Sequence, residues 1–123
     1  MPEIKIRIKN LPEIRAAFSK APRLMTRRLN EAIKQSIFTI QRESMIHTPV
    51  DTGRLRASHY PKFRSLYGEV GPTAFYAPFV HEGTRFIKGR PFLRNAAKTE
   101  EQRVQGFFTQ AVQKVLNEIG RST

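Results

Sequence analysis

The chain has no cysteine, no tryptophan and few acids. Without cysteine there is no disulfide framework, no thiolate metal site and no cysteine nucleophile, and the lack suits folding in a reducing cytoplasm. No run of about 18 apolar residues occurs, so no segment reads as a membrane span. The opening Met1-Pro2-Glu3-Ile4-Lys5-Ile6 lacks the charged-then-apolar pattern of a signal peptide. No internal repeat and no low-complexity segment is present. Ten acids stand against 22 Lys+Arg, a formal net charge of +12. Such a field attracts polyanions or an acidic protein surface, although the same surplus also serves solubility alone.

Catalytic signatures are missing too. There is no Gly-x-Ser-x-Gly, no phosphate-binding Gly-Lys-Ser/Thr loop and no dinucleotide fingerprint. His47, His59 and His81 include no pair at the i, i+4 spacing of a helical metal site, and they read as structural or incidental. Asp51 and Glu82 are not placed together by spacing, and Asp51 reads as a turn cap. The expectation is a protein that is not an enzyme, with no cofactor, no metal and no small-molecule substrate.

What is present makes one folded domain over residues 1–123. The chain is 39% hydrophobic and includes nine Phe, enough for a modest core. From Glu3 to Lys9, Ile4, Ile6 and Ile8 alternate with Lys5, Arg7 and Lys9, a half-buried strand with a cationic outer row. Pro12 starts a short helix carrying Leu11, Ile14 and Phe18, and Ala21-Pro22 ends or restarts it. Arg23 to His47 is a long helix. Met25, Leu29, Ala32, Ile33, Ser36, Ile37, Ile40 and Ser44 share one face, with Arg23, Arg27, Glu31, Lys34, Gln41 and Arg42 opposite. Phe38 and Met45 fall on the polar side, seven residues apart. Either the N-terminal segment covers them or they meet a neighbouring subunit.

Thr48-Pro49-Val50-Asp51-Thr52-Gly53-Arg54-Leu55 organises the chain. Pro49 stops the helix and turns Thr48 away from helical dihedrals. Asp51 and Thr52 can bond nearby N–H groups, and Gly53 can take a positive φ. This reads as a corner handing the chain from helix to sheet. Leu55 to Arg64 follows as a strand, interrupted or bulged at Pro61, which cannot donate to a ladder and so marks an edge strand or the end of one. Leu66 to Val70 is the return strand, closed by Gly71-Pro72. Tyr76 to Thr84 is aromatic-rich without a clear period, and Gly83 to Gly89 reads as a flexible, exposed loop. Pro91 opens a last amphipathic helix through Leu93, Ala97, Val104, Phe108, Ala111, Val115 and Ile119. Gly106 is a soft spot suited to close packing, and Gly120 a C-terminal cap.

These elements predict an α+β fold: a small, mostly antiparallel sheet with the long helix and the C-terminal helix packed on one face. Two basic runs carry no acid, Arg54 to Arg64 and Arg85 to Lys98. With His59, Tyr60, Phe63, Phe75, Tyr76 and Phe79 interleaved, they also suit a small basic nucleic-acid-binding protein. No RRM-type aromatic motif, zinc finger or short recognition-helix pair is present, so that signal is electrostatic. A small basic nuclease is a third reading, and it needs an acid/base cluster that the sequence does not supply.

The order of motifs resembles the tail-component family of long-tailed double-stranded DNA bacteriophages. In that family a long helix precedes Pro-x-Asp-Thr-Gly-x-Leu-x-x-Ser and a hairpin. Here this is Pro49, Asp51, Thr52, Gly53, Leu55 and Ser58. Then come Tyr76-Ala77, Val80, Glu82, Gly83-Thr84 and Arg90-Pro91-Phe92-Leu93. The family commonly has Glu and then an aromatic before Gly-Thr, where this chain has His81-Glu82. The likeness spans roughly residues 22–119 and leaves 1–21 without a signature, since two motifs in order carry it. It implies a virion structural protein of the tail or neck, present in the host cytoplasm during assembly. Its role would be tail completion, tail termination or head–tail joining. Its partners would be copies of itself in a ring, a hexamer in the virion and a monomer in solution, together with the tail tube, neck connector proteins and DNA passing through. The expected contact residues are Phe38, Met45, Tyr76, Glu82, Gly83, Thr84, Arg85, Lys88, Arg90 and Phe92. Pro49, Asp51, Thr52, Gly53 and Leu55 are the expected structural corner.

Overall fold

A computed structural model describes residues 6–9, 21–49 and 53–122, with backbone alone for 6–9 and 119–122. The expected helix at 11–18, the strand residues Glu3 to Lys5, and Asp51 and Thr52 lie outside the described residues.

The order is β1 (Ile6–Lys9), α1 (Pro22–His47), α2 (Arg54–Ala57), β2 (His59–Arg64), β3 (Tyr67–Pro72), α3 (Ala77–Glu82), α4 (Phe92–Thr99) and α5 (Glu101–Ser122). The fold is α+β. The three strands form an antiparallel sheet in the order β1-β3-β2.

Helix α1 forms because its apolar residues recur at helical spacing and Pro22 sits in its first turn, where no N–H is needed. All eight residues assigned to its apolar face are buried, and Thr39 joins them. That face serves two cores. Ile33, Ile37 and Ile40 meet Val70, Leu55, Ala77 and the α4 residues Phe92, Leu93 and Ala96. One turn earlier, Met25, Leu29 and Ala32 pack on Ala111 and Val115 of α5, and Leu24 joins from the side. The sheet therefore lies against one stretch of α1 and the C-terminal helix against another. The Arg28 guanidinium bonds the Glu118 carboxylate across the second contact.

At the first contact Gly68 makes the close approach. A Cβ there would lie 2.6 Å from Ile33 Cγ2 and 2.8 Å from Ile37 Cγ1. The hairpin that positions Gly68 turns through Ser65 and Leu66. Leu66 has φ 56°, a left-handed value unusual for a residue with a side chain. Its N–H donates to Asn30 Oδ1 of α1 at 2.7 Å, and its side chain packs on the second core. Tertiary contacts thus hold a turn for which glycine would be the local choice.

Several boundaries differ from the sequence reading. The strand expected from Leu55 begins only at His59, because Arg54–Ala57 makes one helical turn that drives Leu55 into the core. Pro61 lies within β2, opposite Val70, on the sheet edge. Ser58 O accepts the Thr73 N–H at 2.9 Å. Antiparallel alternation then aims residues 60, 62 and 64 at β3 and the Pro61 nitrogen outward, so no ladder bond is lost. The segment from Tyr76 holds a helix, Ala77–Glu82, with Pro78 in its first turn. The single last helix is two, broken at Glu100, so that α4 enters the core while α5 follows α1. Pro91 is the cap residue before α4, not its first helical residue. Gly106 makes no close approach, since a Cβ there would meet nothing within 4 Å. Gly120 lies inside α5, which runs to Ser122, and is no cap.

Replacing Gly68 by Val is expected to destabilise the protein by about 1–3 kcal/mol, the cost of overpacking a filled core. Chemical denaturation against the unmodified protein measures it.

Candidate interaction surface

The corner after α1 is built from backbone constraints. Thr48 is extended at ψ 131°, as a residue before proline must be, and its Oγ1 donates to Ser44 O at 2.6 Å. Pro49 is half-buried. Gly53 caps α2 at φ 81°, with open space where a Cβ would stand. Its requirement is therefore conformational and not steric.

The three residues after Gly53 point three ways. Leu55 is buried in the main core beside Ala77. The Arg54 guanidinium lies 5.9 Å over the Tyr76 ring. Arg56 Nε donates to Met45 O at 2.9 Å. This one turn brings the corner against the Tyr76 segment on one side and the end of α1 on the other.

On the α1 side lies an open groove of about 480 Å³ lined by Phe38, Gln41, Arg42, Met45, Ile46 and Arg56. Phe38 is 50% exposed and its ring centroid is 5.5 Å from that of Phe63. Met45 is half-buried. About half of Phe38 therefore stays open to solvent.

Beneath the corner, His59 is buried. Its Nδ1 donates to Arg56 O at 2.9 Å, which leaves Nε2 to accept from Ser44 Oγ at 2.8 Å. Burial pushes its pKa below the ordinary 6.5, against smaller opposing effects of the Arg56 and Leu55 backbone. Phe92 stands edge-on between this ring, at 5.8 Å, and His81, at 5.1 Å. Phe92 is 1% exposed, so the assignment of Phe92 to a partner contact is corrected. It is core because the turn before α4 points it inward.

His81 and Glu82 end α3. His81 Nε2 accepts the Arg94 N–H at 3.3 Å, so Nδ1 donates to Glu82 Oε1 at 2.7 Å. The same oxygen takes Arg94 Nη2 at 2.6 Å. The hydrogen bond from His81, and then Arg94, hold the exposed Glu82 carboxyl below its ordinary value. Glu82 is thus committed to fastening α3 to α4.

The segment between those helices is exposed but tied, in place of the flexible loop expected. Gly83 pairs with Lys88. Thr84 N–H donates to Ile87 O at 2.8 Å, and Thr84 Oγ1 accepts from the N–H groups of Phe86 and Ile87. Arg90 N–H donates to Val80 O at 3.0 Å. Gly83 has φ 86°, and a Cβ on Gly89 would lie 2.5 Å from the Glu82 carbonyl carbon. Both glycines are needed where the two arms cross. The tip presents Phe86, 82% exposed, and Ile87, 61% exposed, between the cations Arg85 and Lys88. The sequence reading passed over these two apolar residues. Their signal is two large hydrophobes between glycines, in a segment with nowhere to bury them. Phe75 and Phe79 are also exposed, one helical turn apart, and Phe75 stacks edge-on with Tyr76 at 5.3 Å.

Among the described residues no group of three or more His, Asp or Glu is placed to hold a metal ion, and no helix is long and apolar enough to cross a membrane. No family model, no curated protein and no solved structure matches the chain.

Replacing Gly53 by Val is expected to destabilise the fold by about 1–2 kcal/mol, the cost of a left-handed dihedral for a residue with a side chain. A lowered denaturation midpoint measures it. His59 gives a pH dependence of defined sign. Its folded pKa lies below the unfolded one, so below pH 6.5 the unfolded chain binds the extra proton first. Stability is then full above that pH and lost as pH falls. In His59→Gln the difference in denaturation midpoint between pH 7.5 and pH 5.5 (values chosen to bracket roughly the free imidazole pKa) should shrink.

Proposed function

We propose that this chain is a phage virion structural protein, a tail-completion, tail-terminator or head–tail joining component that acts by assembling into a ring. The observation that carries this reading is the tied turn holding Phe86 and Ile87 in solvent. Ordering two large apolar side chains outside the core gains nothing for the isolated fold, whereas at an interface such side chains supply most of the binding energy. The motif order from Pro49 to Leu93 supports the same reading through its resemblance to the phage tail-component family. So does the groove at Phe38 and Met45, a second apolar surface on a different part of the subunit. Two different surfaces are what a head-to-tail contact needs, and such contacts close into rings when the rotation closes.

The basic surplus shapes how this happens. Arg85 and Lys88 flank the turn, and Arg42 and Arg56 line the groove. Copies of the subunit repel one another at low salt, and an acidic tube or neck surface relieves that repulsion. Monomers in solution and a ring on a template are the expected states.

The test is mass measurement across protein concentration, with and without purified tail tubes. A ring of fixed subunit number on the tubes is expected. Phe86→Ser combined with Ile87→Ser should leave the thermal midpoint within about 2 °C, since exposed positions contribute little to stability. The same variant should lose tube attachment at least tenfold. Unchanged attachment in that variant, or no attachment by the unmodified protein, would overturn the proposal.

A further inference from the structure

One face of the sheet is covered by α1 and α4, while the other carries a different chemistry. Side chains in β2 alternate, so His59, Pro61 and Phe63 turn toward the helices and Tyr60, Lys62 and Arg64 turn away. All three outward residues are exposed, Tyr60 by 59%. Across the ladder Lys62 pairs with Glu69 and Arg64 with Tyr67. On the other side of β3 the register places Arg7 opposite Glu69 and Lys9 opposite Tyr67. Cationic positions therefore flank the central strand on both sides.

Along β3 the outward residues Glu69 and Gly71 are buried, so the part of this face open to solvent is the β2 row. Glu69 is 5% exposed and accepts the Tyr67 hydroxyl at 2.6 Å. The Arg64 guanidinium lies 5.1 Å over the Tyr67 ring, which fixes its direction. Among the described residues no carboxylate lies within ion-pair distance of Lys62 or Arg64, although Glu69 is the register partner of Lys62. The missing N–H of Pro61 also removes a donor from the free edge of β2, which disfavours addition of another strand there. The face suits a ligand that uses cations and an aromatic surface and does not extend the ladder.

We infer that the outward row of β2 binds the phosphate backbone of nucleic acid, with Lys62 and Arg64 on phosphates and Tyr60 available to stack on an unpaired base. The chemistry favours nucleic acid over an acidic protein because cations and an exposed ring are interleaved along the outward side of one strand. The inference goes beyond ring assembly and does not depend on it. Its residues lie on the sheet, whereas the assembly surfaces lie on the Gly83–Gly89 turn and the α1 groove.

The experiment is fluorescence anisotropy with a labelled 20-nucleotide DNA strand and the matching duplex (lengths of about 20 exceed one single-strand site), over a series of salt concentrations. Binding that weakens steeply with salt is expected. Lys62→Gln with Arg64→Gln should weaken it about tenfold and reduce the slope of log K on log salt by about 1.5, the loss of two phosphate contacts. Tyr60→Ser should weaken single-strand binding about tenfold and duplex binding little, if a base stacks there. Equal loss on both probes would remove the stacking role and overturn that part of the inference. Arg85→Gln with Lys88→Gln, which changes the same charge on the assembly turn, should leave the slope within about 0.5 of the parent value. Equal effects of the two double variants would overturn the site, as would absence of binding to both probes. Polyglutamate competing as well as DNA, charge for charge, would overturn it in favour of an acidic protein surface. Tube attachment measured on Lys62→Gln with Arg64→Gln separates this result from the assembly reading, which predicts no loss.

Discussion

The close approach of α1 to the sheet at Gly68 is the constraint from which the rest follows. Ile33 and Ile37 occupy the volume that a side chain at 68 would need. This brings β3 directly onto the helix and sets the depth at which Val70 joins the core. Because one apolar face of α1 serves both the sheet and α5, the two halves of the molecule share a single spine. A change at that contact reaches the hairpin, whose turn is anchored by Asn30 on the same helix.

Around that spine, short segments are fastened by polar groups whose partners are all internal. His59 joins the end of α1 to the turn α2 through Ser44 and Arg56. His81 joins α3 to α4 through Glu82 and the Arg94 backbone. Phe92 lies between the two imidazoles. The histidines thus act as structural linkers, each held in one tautomer by its neighbours. These fastenings leave the surface segments ordered while their apolar residues remain outside.

Long-period features were legible in the sequence. The face of α1 followed from residues recurring every three or four positions, and Pro61 limited its segment to an edge strand or a strand end, of which the structure shows the edge strand. Extended backbone at Thr48 followed from Pro49 alone. Short features were not. Arg54–Ala57 and Ala77–Glu82 each span too few residues for a period to show, and both are helical because the core receives Leu55 and Ala77. The break at Glu100 has no proline or glycine to announce it. It exists because α4 and α5 serve different parts of α1. The same limit applies to the interaction surface. Tyr76 and Glu82 stood out by motif, but Phe86 and Ile87 gained meaning only from a backbone that keeps them in solvent.

By itself the sequence determined the α+β class, the long amphipathic helix, the cationic surplus and the left-handed dihedral at Gly53. These are properties of single residues and of their spacing, so they need no knowledge of neighbours distant in the chain. The left-handed dihedral at Leu66, in contrast, rests on tertiary contacts. Only the tertiary structure decided which aromatics were enclosed and which stood free. Phe92 and Phe86 are the same side chain six positions apart, one 1% and the other 82% exposed. Burial depends on what packs across from a residue. For these two, that was settled by the crossing of Gly83 and Gly89 and by the seating of α4 in the core.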